Sequence, residues 1–174
     1  MSTKKLITSA QGYLAKSNVF FMDQKTKAIR VYITQEEPEV EDDSAKNYTQ
    51  DFVTVDVPDS NKPQRITVTS PDMSAIAWQI GDDPGTTNTR LYYADADNTL
   101  QELCRDTDKA TWYRGSLGNT VRVKCMQDTP IDAHINYSSQ QLKVYSYSPE
   151  NTTTPTVTWT TVNQTNWQSK LIVK

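Results

Sequence analysis

The stretch Thr89-Arg90-Leu91-Tyr92-Tyr93-Ala94-Asp95-Ala96-Asp97-Asn98-Thr99-Leu100-Gln101-Glu102-Leu103-Cys104 decides the architecture. Its two ends are short runs rich in β-branched, aromatic and alternating apolar residues, and its middle is a cluster of Asp and Asn. That is the pattern of two strands joined by a tight polar turn. The same pattern extends in both directions, over residues 18–21, 28–34, 52–57, 65–69 and 75–80 upstream and 120–126, 133–137, 140–147, 156–162 and 170–173 downstream. Helical periodicity of three turns is absent, and 100–103 is too short to be an exception. The expected class is therefore all-β, with roughly twelve short strands in a sandwich, barrel or propeller.

Composition narrows the function. The chain has 174 residues, 36% hydrophobic, with nine Tyr, four Trp and three Phe, so a packed core is within reach. A net charge of −3 argues against nucleic acid and anionic membranes, which demand clustered Lys and Arg. One His (His134) and two Cys (Cys104, Cys125) leave little material for zinc sites or acid–base catalysis. No nucleophile elbow or P-loop occurs, so neither an enzyme nor a cofactor is expected. The two thiols are expected reduced and half-buried. No apolar run reaches transmembrane length, so membrane insertion is not expected, and nothing at the N-terminus reads as a signal peptide. The resulting expectation is a cytoplasmic protein or one exported by a non-classical route. Residues 36–43 hold six acids and carry the whole negative balance; a solvated insertion between strands accounts for them more simply than a cation site.

Self-similarity discriminates among β architectures. Three segments align: Ala28-Ile29-Arg30-Val31-Tyr32, Thr89-Arg90-Leu91-Tyr92-Tyr93 and Leu142-Lys143-Val144-Tyr145-Ser146, each a basic residue followed by aliphatic and Tyr. Their basic anchors lie 60 and 53 residues apart, and each follows a short apolar strand and a polar turn. The reading is three β-propeller blades of about four strands, over 14–70, 71–127 and 128–174, within a single all-β domain.

The second repeat continues through Thr111-Trp112-Tyr113-Arg114-Gly115. Over 74–118 it resembles a blade of the fungal and bacterial fucose-binding lectins of the Aleuria aurantia type, whose blades run Ile-Arg-Val-Tyr, then Ile-x-Glu, then Trp-x-x-Gly. Residues 28–32 repeat the first motif, while 131–171 keep Val157, Trp159 and Trp167 but lose the polar residues. The resemblance implies a six-bladed ring, formed in one chain or by association of shorter chains, that binds monosaccharides between adjacent blades without catalysis. Arg and Glu would come from one blade and the aromatic wall from the next.

Carried over residue by residue, Arg90 and Glu102 supply a full polar pair and Trp167 the wall. A guanidinium fork and a carboxylate suit the hydroxyl edge of fucose, and an indole suits its apolar face. Arg30 with Trp112 would form a partial site, its carboxylate falling at Glu41 or Asp42. Lys143 and Trp159 replace Arg and Glu in the third blade, and Lys lacks the fork, so no fucose is expected there. A purely structural account stands beside this one: Trp112 and Trp167 as blade-core aromatics, Arg90 and Glu102 as a cross-strand ion pair, Trp78 and Tyr137 as core, and His134 as an ordinary strand residue. Three blades cannot close a ring, so two chains are expected to form a homodimer with multivalent glycan partners. The rival expectation is a propeller-like interaction or scaffold protein whose sugar pockets have decayed.

Overall fold

The computed structural model describes residues 7–11, 17–34, 48–57, 60, 62–79, 87–106, 109 and 111–173. The acidic run 36–43, and with it Glu41 and Asp42, lies outside them. Fourteen strands form among the described residues: β1 (Ile7–Gln11), β2 (Ser17–Met22), β3 (Ile29–Thr34), β4 (Tyr48–Phe52), β5 (Thr54–Val55), β6 (Gln64–Arg65), β7 (Met73–Gln79), β8 (Thr87–Ala94), β9 (Leu100–Asp106), β10 (Tyr113–Arg114), β11 (Asp132–Asn136), β12 (Gln141–Ser148), β13 (Asn151–Thr161) and β14 (Gln168–Leu171). They make three four-stranded antiparallel meanders, β1 to β4, β7 to β10 and β11 to β14, with β5–β6 as a small ribbon between the first two. The all-β, blade-like expectation matches this.

The polar turns read from the sequence are built alike in the first two sheets. Asp95 N–H donates to Thr99 O (3.1 Å), and Asn98 N–H donates back to Asp95 O (3.0 Å); Asp23, Ala28 and Lys27 repeat both bonds at 2.9 and 2.8 Å. In each turn the Asp Oδ1 accepts two further backbone N–H groups. Asn98 and Lys27 take the left-handed conformation at φ 53° and 59°, which Asn tolerates better than Lys.

The sheets stack face on face. Ala10, Phe20, Met22, Ile29 and Val31 of the first pack against Ala75, Leu91, Tyr93 and Leu103 of the second. Ile76, Tyr92 and Leu100 on the opposite face of the second pack against Ala133, Leu142 and Val144 of the third. Alternation along each strand divides the side chains between faces in this way. Each junction is closed by an edge-to-face aromatic pair, Phe20 with Trp112 (5.5 Å, 80°) and Tyr92 with Trp167 (6.0 Å, 75°). The first strands of the sheets are linked by a side-chain ladder: Ala75 N–H donates to Thr8 Oγ1 (3.0 Å) and Ala133 N–H to Ser74 Oγ (2.9 Å).

That ladder fixes which residues correspond. Thr8, Ser74 and Asp132 lie opposite Phe20, Tyr92 and Tyr145, so these three aromatics occupy one position in three sheets. Two residues earlier, Asn18 matches Arg90 and Lys143. Across the next strand pair, Val31 matches Glu102 and Val157. The repeat register read from Arg30 is thereby corrected. Arg30 sits on β3, the third strand of its sheet, whereas Arg90 sits on β8, the second. The first sheet begins at β1, ahead of residue 14. Three strands, β1, β4 and β10, were not evident in the sequence, and 120–126 forms turns and isolated bridges rather than a strand.

Candidate functional site

Between the second and third sheets lies a cleft of about 510 Å³, lined by Trp78, Arg90, Glu102, Cys104, Tyr113 and the 163–165 loop among others. Pairing across β7, β8 and β9 sets the second sheet's wall in rows: Trp78, Asn88 and Asp106, then Ile76, Arg90 and Cys104, then Ser74, Tyr92 and Glu102. Because i and i+2 share a face, one sheet surface brings together charges that are distant in sequence.

Arg90 is the hub. One guanidinium nitrogen donates to Asp106 Oδ1 and to Thr89 O, both at 3.0 Å; Nε lies 4.0 Å from Glu102 Oε1, and the guanidinium stacks over Trp78 at 5.0 Å. Glu102 Oε1 accepts the Tyr92 hydroxyl at 3.2 Å. Asp106 Oδ2 accepts the Tyr113 hydroxyl at 2.6 Å and Lys109 Nζ at 3.1 Å. The two acids titrate in opposite senses. Burial raises Glu102 above the usual glutamate pKa, and Arg90, the Tyr92 hydroxyl and nearby backbone N–H groups only partly offset it. Burial also works against the Asp106 carboxylate, but the Tyr113 hydroxyl, Arg90 and Lys109 outweigh it and hold the pKa low. Gly115 packs so closely on Glu102 that an added Cβ would overlap the carboxylate, which explains a glycine here.

Of the residues expected at the best site, Arg90 and Glu102 meet in this cleft. Trp167 reaches the same junction but does not line the cleft: 6% exposed, it packs on Tyr92 and donates from Nε1 to Ser116 Oγ at 3.0 Å. The aromatics that line the cleft are Trp78 and Tyr113, from the same sheet as Arg90, and Trp78 also packs into the core, as expected of it. Asp106, central to the cluster, was missed, although it continues the period-two series Glu102, Cys104, Asp106. Both cysteines are buried free thiols, Cys125 pushed up by burial to about 11 and Cys104 further still.

Arg30 and Trp112 are not brought together. Ile29 and Val31 face the second sheet, so Arg30 faces away, paired with Asp23 at 2.8 Å and stacked on Phe52 at 4.2 Å. Trp112 is buried on the other side against Phe20. The first junction instead offers Asn18 and Val31 where the second has Arg90 and Glu102. On the third sheet Val157, rather than Trp159, takes the glutamate position, beside Lys143. Tyr137 is 67% exposed, not core, and His134 stacks on Tyr145 at 5.3 Å. Among the described residues no group of three or more His, Cys, Asp or Glu could hold a metal ion.

No protein-family model matches the chain, and no curated protein matches it. Solved structures do. A fucose lectin from Kordia zhangzhouensis, in complex with methyl-fucoside, superposes with a TM-score of 0.60 at 16% identity, over 97% of this chain and 100% of that one. AofleA from Arthrobotrys oligospora gives 0.66 at 18% identity, over 95% of this chain but 41% of its own. A mutant Aleuria aurantia lectin in complex with Fucalpha1-6GlcNAc gives 0.63 at 18%, over 95% and 47%. This chain thus spans under half of the latter two and the whole of the first. It has the fold of these fucose lectins.

Proposed function

We propose that the protein is a carbohydrate-binding lectin that takes L-fucose or a related sugar in the cleft between its second and third sheets, by non-covalent recognition and without catalysis. The observation that carries this reading is Arg90, braced by Asp106, lining with Glu102 a cleft bordered by an indole, on a fold shared with fucose lectins. The guanidinium and the Glu102 carboxylate would meet the hydroxyl edge of a sugar, and the indole its C–H face. The other two sheet faces lack the Arg–Glu pair, so one chain would hold one such site. A monosaccharide of about a dozen heavy atoms contributes roughly 5 kcal/mol, which is weak binding.

Multivalency would overcome that weakness. The outer face of the first sheet carries Phe21 stacked on Tyr32 at 5.4 Å and Ile7, 68% exposed, beside Arg30; the third sheet's outer face carries Tyr145, His134 and Trp159. Two chains meeting third sheet to first would continue the stacking into a six-bladed ring. Asp132 is then placed as Thr8 and Ser74 are, to accept the Ser9 N–H of the other copy.

Glycan-array screening and calorimetric titration with methyl α-L-fucoside test the function. Binding by the wild type and its loss in Arg90→Ala are expected; no glycan bound, or binding untouched by the substitution, overturns the reading. Sedimentation is expected to give twice the chain mass of 19.7 kDa, and a single-chain mass at micromolar concentration overturns the ring.

A further inference from the structure

The cleft between the second and third sheets has a charged interior and a neutral rim. Arg90 and Glu102 lie deep, their side chains 11% and 6% exposed, whereas Asn119, Thr120, Asn163, Gln164 and Thr165, which line the same cleft, are all exposed. Two loops supply this rim. Residues 119–120 follow β10 in the second sheet, and residues 163–165 lie between β13 and β14 in the third. None of the five is charged, and each side chain can both donate and accept a hydrogen bond. Among the described residues, no partner engages the side-chain amides of Asn163 and Gln164. Their backbone is nevertheless anchored: Val162 N–H donates to Gln140 O at 2.7 Å and Gln164 N–H to Thr161 O at 2.9 Å, while Asn163 between them is left-handed at φ 65°. Only the side chains remain to be ordered by a ligand, which keeps the entropic cost of engaging them low.

We propose that this rim is a second saccharide subsite, in which the amides of Asn163 and Gln164 hydrogen-bond the sugar next to the one held by Arg90 and Glu102. The ligand is then a disaccharide or the end of a longer glycan, and the third sheet reads its linkage. This rests on the lectin reading above and extends it. A sugar seated against the deep pair leaves the cleft, through its glycosidic bond, past the exposed residues. Its neighbour therefore meets the rim, and the hydroxyl or acetamido groups of that neighbour offer the donors and acceptors that side-chain amides reciprocate. The two subsites divide the work. Charge-assisted bonds to the shielded Arg90 and Glu102 are the stronger ones, while neutral bonds at an exposed rim compete with water and are worth less. The rim accordingly selects among glycans that the interior holds equally well.

Calorimetric titration of methyl α-L-fucoside and of α-L-fucosyl disaccharides, differing in linkage to N-acetylglucosamine or galactose, tests this. The proteins are the wild type, the double variant Asn163→Gly with Gln164→Ala, and Arg90→Ala. Glycine keeps the left-handed turn at 163 while removing the amide. The quantity read is the affinity for each disaccharide relative to the monosaccharide within one protein, which a uniform loss through altered packing does not move. At least one disaccharide is expected to bind the wild type roughly 5- to 10-fold more tightly than methyl α-L-fucoside, the range of a net neutral hydrogen bond, and that advantage is expected to vanish in the double variant. If no disaccharide exceeds the monosaccharide in the wild type, or if the advantage survives in the double variant, the subsite is refuted and the lectin reading stands. If the wild type binds none of these ligands, or Arg90→Ala binds them as the wild type does, the lectin reading falls and takes the subsite with it. Should the double variant prove unfolded by circular dichroism, Gln164→Ala alone decides by the same criterion.

Discussion

The junction of the first and second sheets and that of the second and third are close copies in packing and unlike in chemistry. Both bury an aromatic on the second strand edge-on to a Trp that precedes the fourth strand of the next sheet, and both carry one rung of the first-strand ladder. The first places Asn18, Phe20 and Val31 where the second places Arg90, Tyr92 and Glu102. Apolar packing sets the stacking, and two positions on one sheet face set whether a junction carries buried charge. The scaffold is repeated, and the site is a local departure from it.

The sharpest way to break the comparison is to remove its common element. Phe20 is fully buried, and Phe20→Ala is expected to cost about 3–5 kcal/mol in urea denaturation, as a large core truncation does. A loss under 1 kcal/mol would mean that the first junction does not support the fold. Next comes what is peculiar to the second junction. Arg90→Ala leaves Glu102 and Asp106 without their shared countercharge; it is expected to lower stability by roughly 2–4 kcal/mol and to abolish fucoside binding, whereas Asn18→Ala should leave binding unchanged. Equal effects of the two on binding would erase the distinction.

Acid should separate the junctions further. Because the Glu102 pKa is raised, its contribution to stability is greatest below the ordinary value of 4.5 and is lost as pH rises through its folded value. Under the proposed function binding would run the other way, since the ionised carboxylate accepts a sugar hydroxyl more strongly than the neutral acid does. Calorimetry is expected to show affinity falling several-fold as pH drops toward 4.5, ahead of an ordinary glutamate. Asp106, with a lowered pKa, stays charged throughout that window and stabilises the fold until pH falls below 3.8. Affinity constant from pH 7 to 4.5 would contradict this. The smallest effect concerns the shared turn: Lys27→Gly, at φ 59°, is expected to gain about 0.5–1 kcal/mol, and Asn98→Gly much less.

The sequence showed strands, turns and a threefold repeat because period-two alternation and Asp–Asn turns are local. It misled where a local pattern fitted the wrong strand. Arg30-Val31-Tyr32 imitates Arg90-Leu91-Tyr92, yet Val19-Phe20-Phe21-Met22-Asp23 matches Leu91-Tyr92-Tyr93-Ala94-Asp95 residue for residue through the turn. The aromatic pair followed by Asp was the better anchor, since core volume and turn geometry constrain it and a half-buried basic residue is free to vary. Arg90 and Glu102 were legible from their motif. Asp106 and Trp78 were not, because each meets Arg90 only through register between neighbouring strands. The edge strands β1, β4 and β10 gain their extended form by pairing with β2, β3 and β9, and intrinsic propensity does not reveal that.

The bond from Trp167 to Ser116 has a kinetic consequence. It ties the third sheet to the loop after β10, whose Ser116 lines the cleft, so under the lectin reading proposed above a sugar would meet walls already set apart. Little reorganisation would then precede capture, encounter would be governed by diffusion and orientation, and differences among sugars would be expressed in how long each stays. Trp167→Phe, which removes the latch and keeps an aromatic ring, should therefore slow association where substitutions in the cleft itself hasten release.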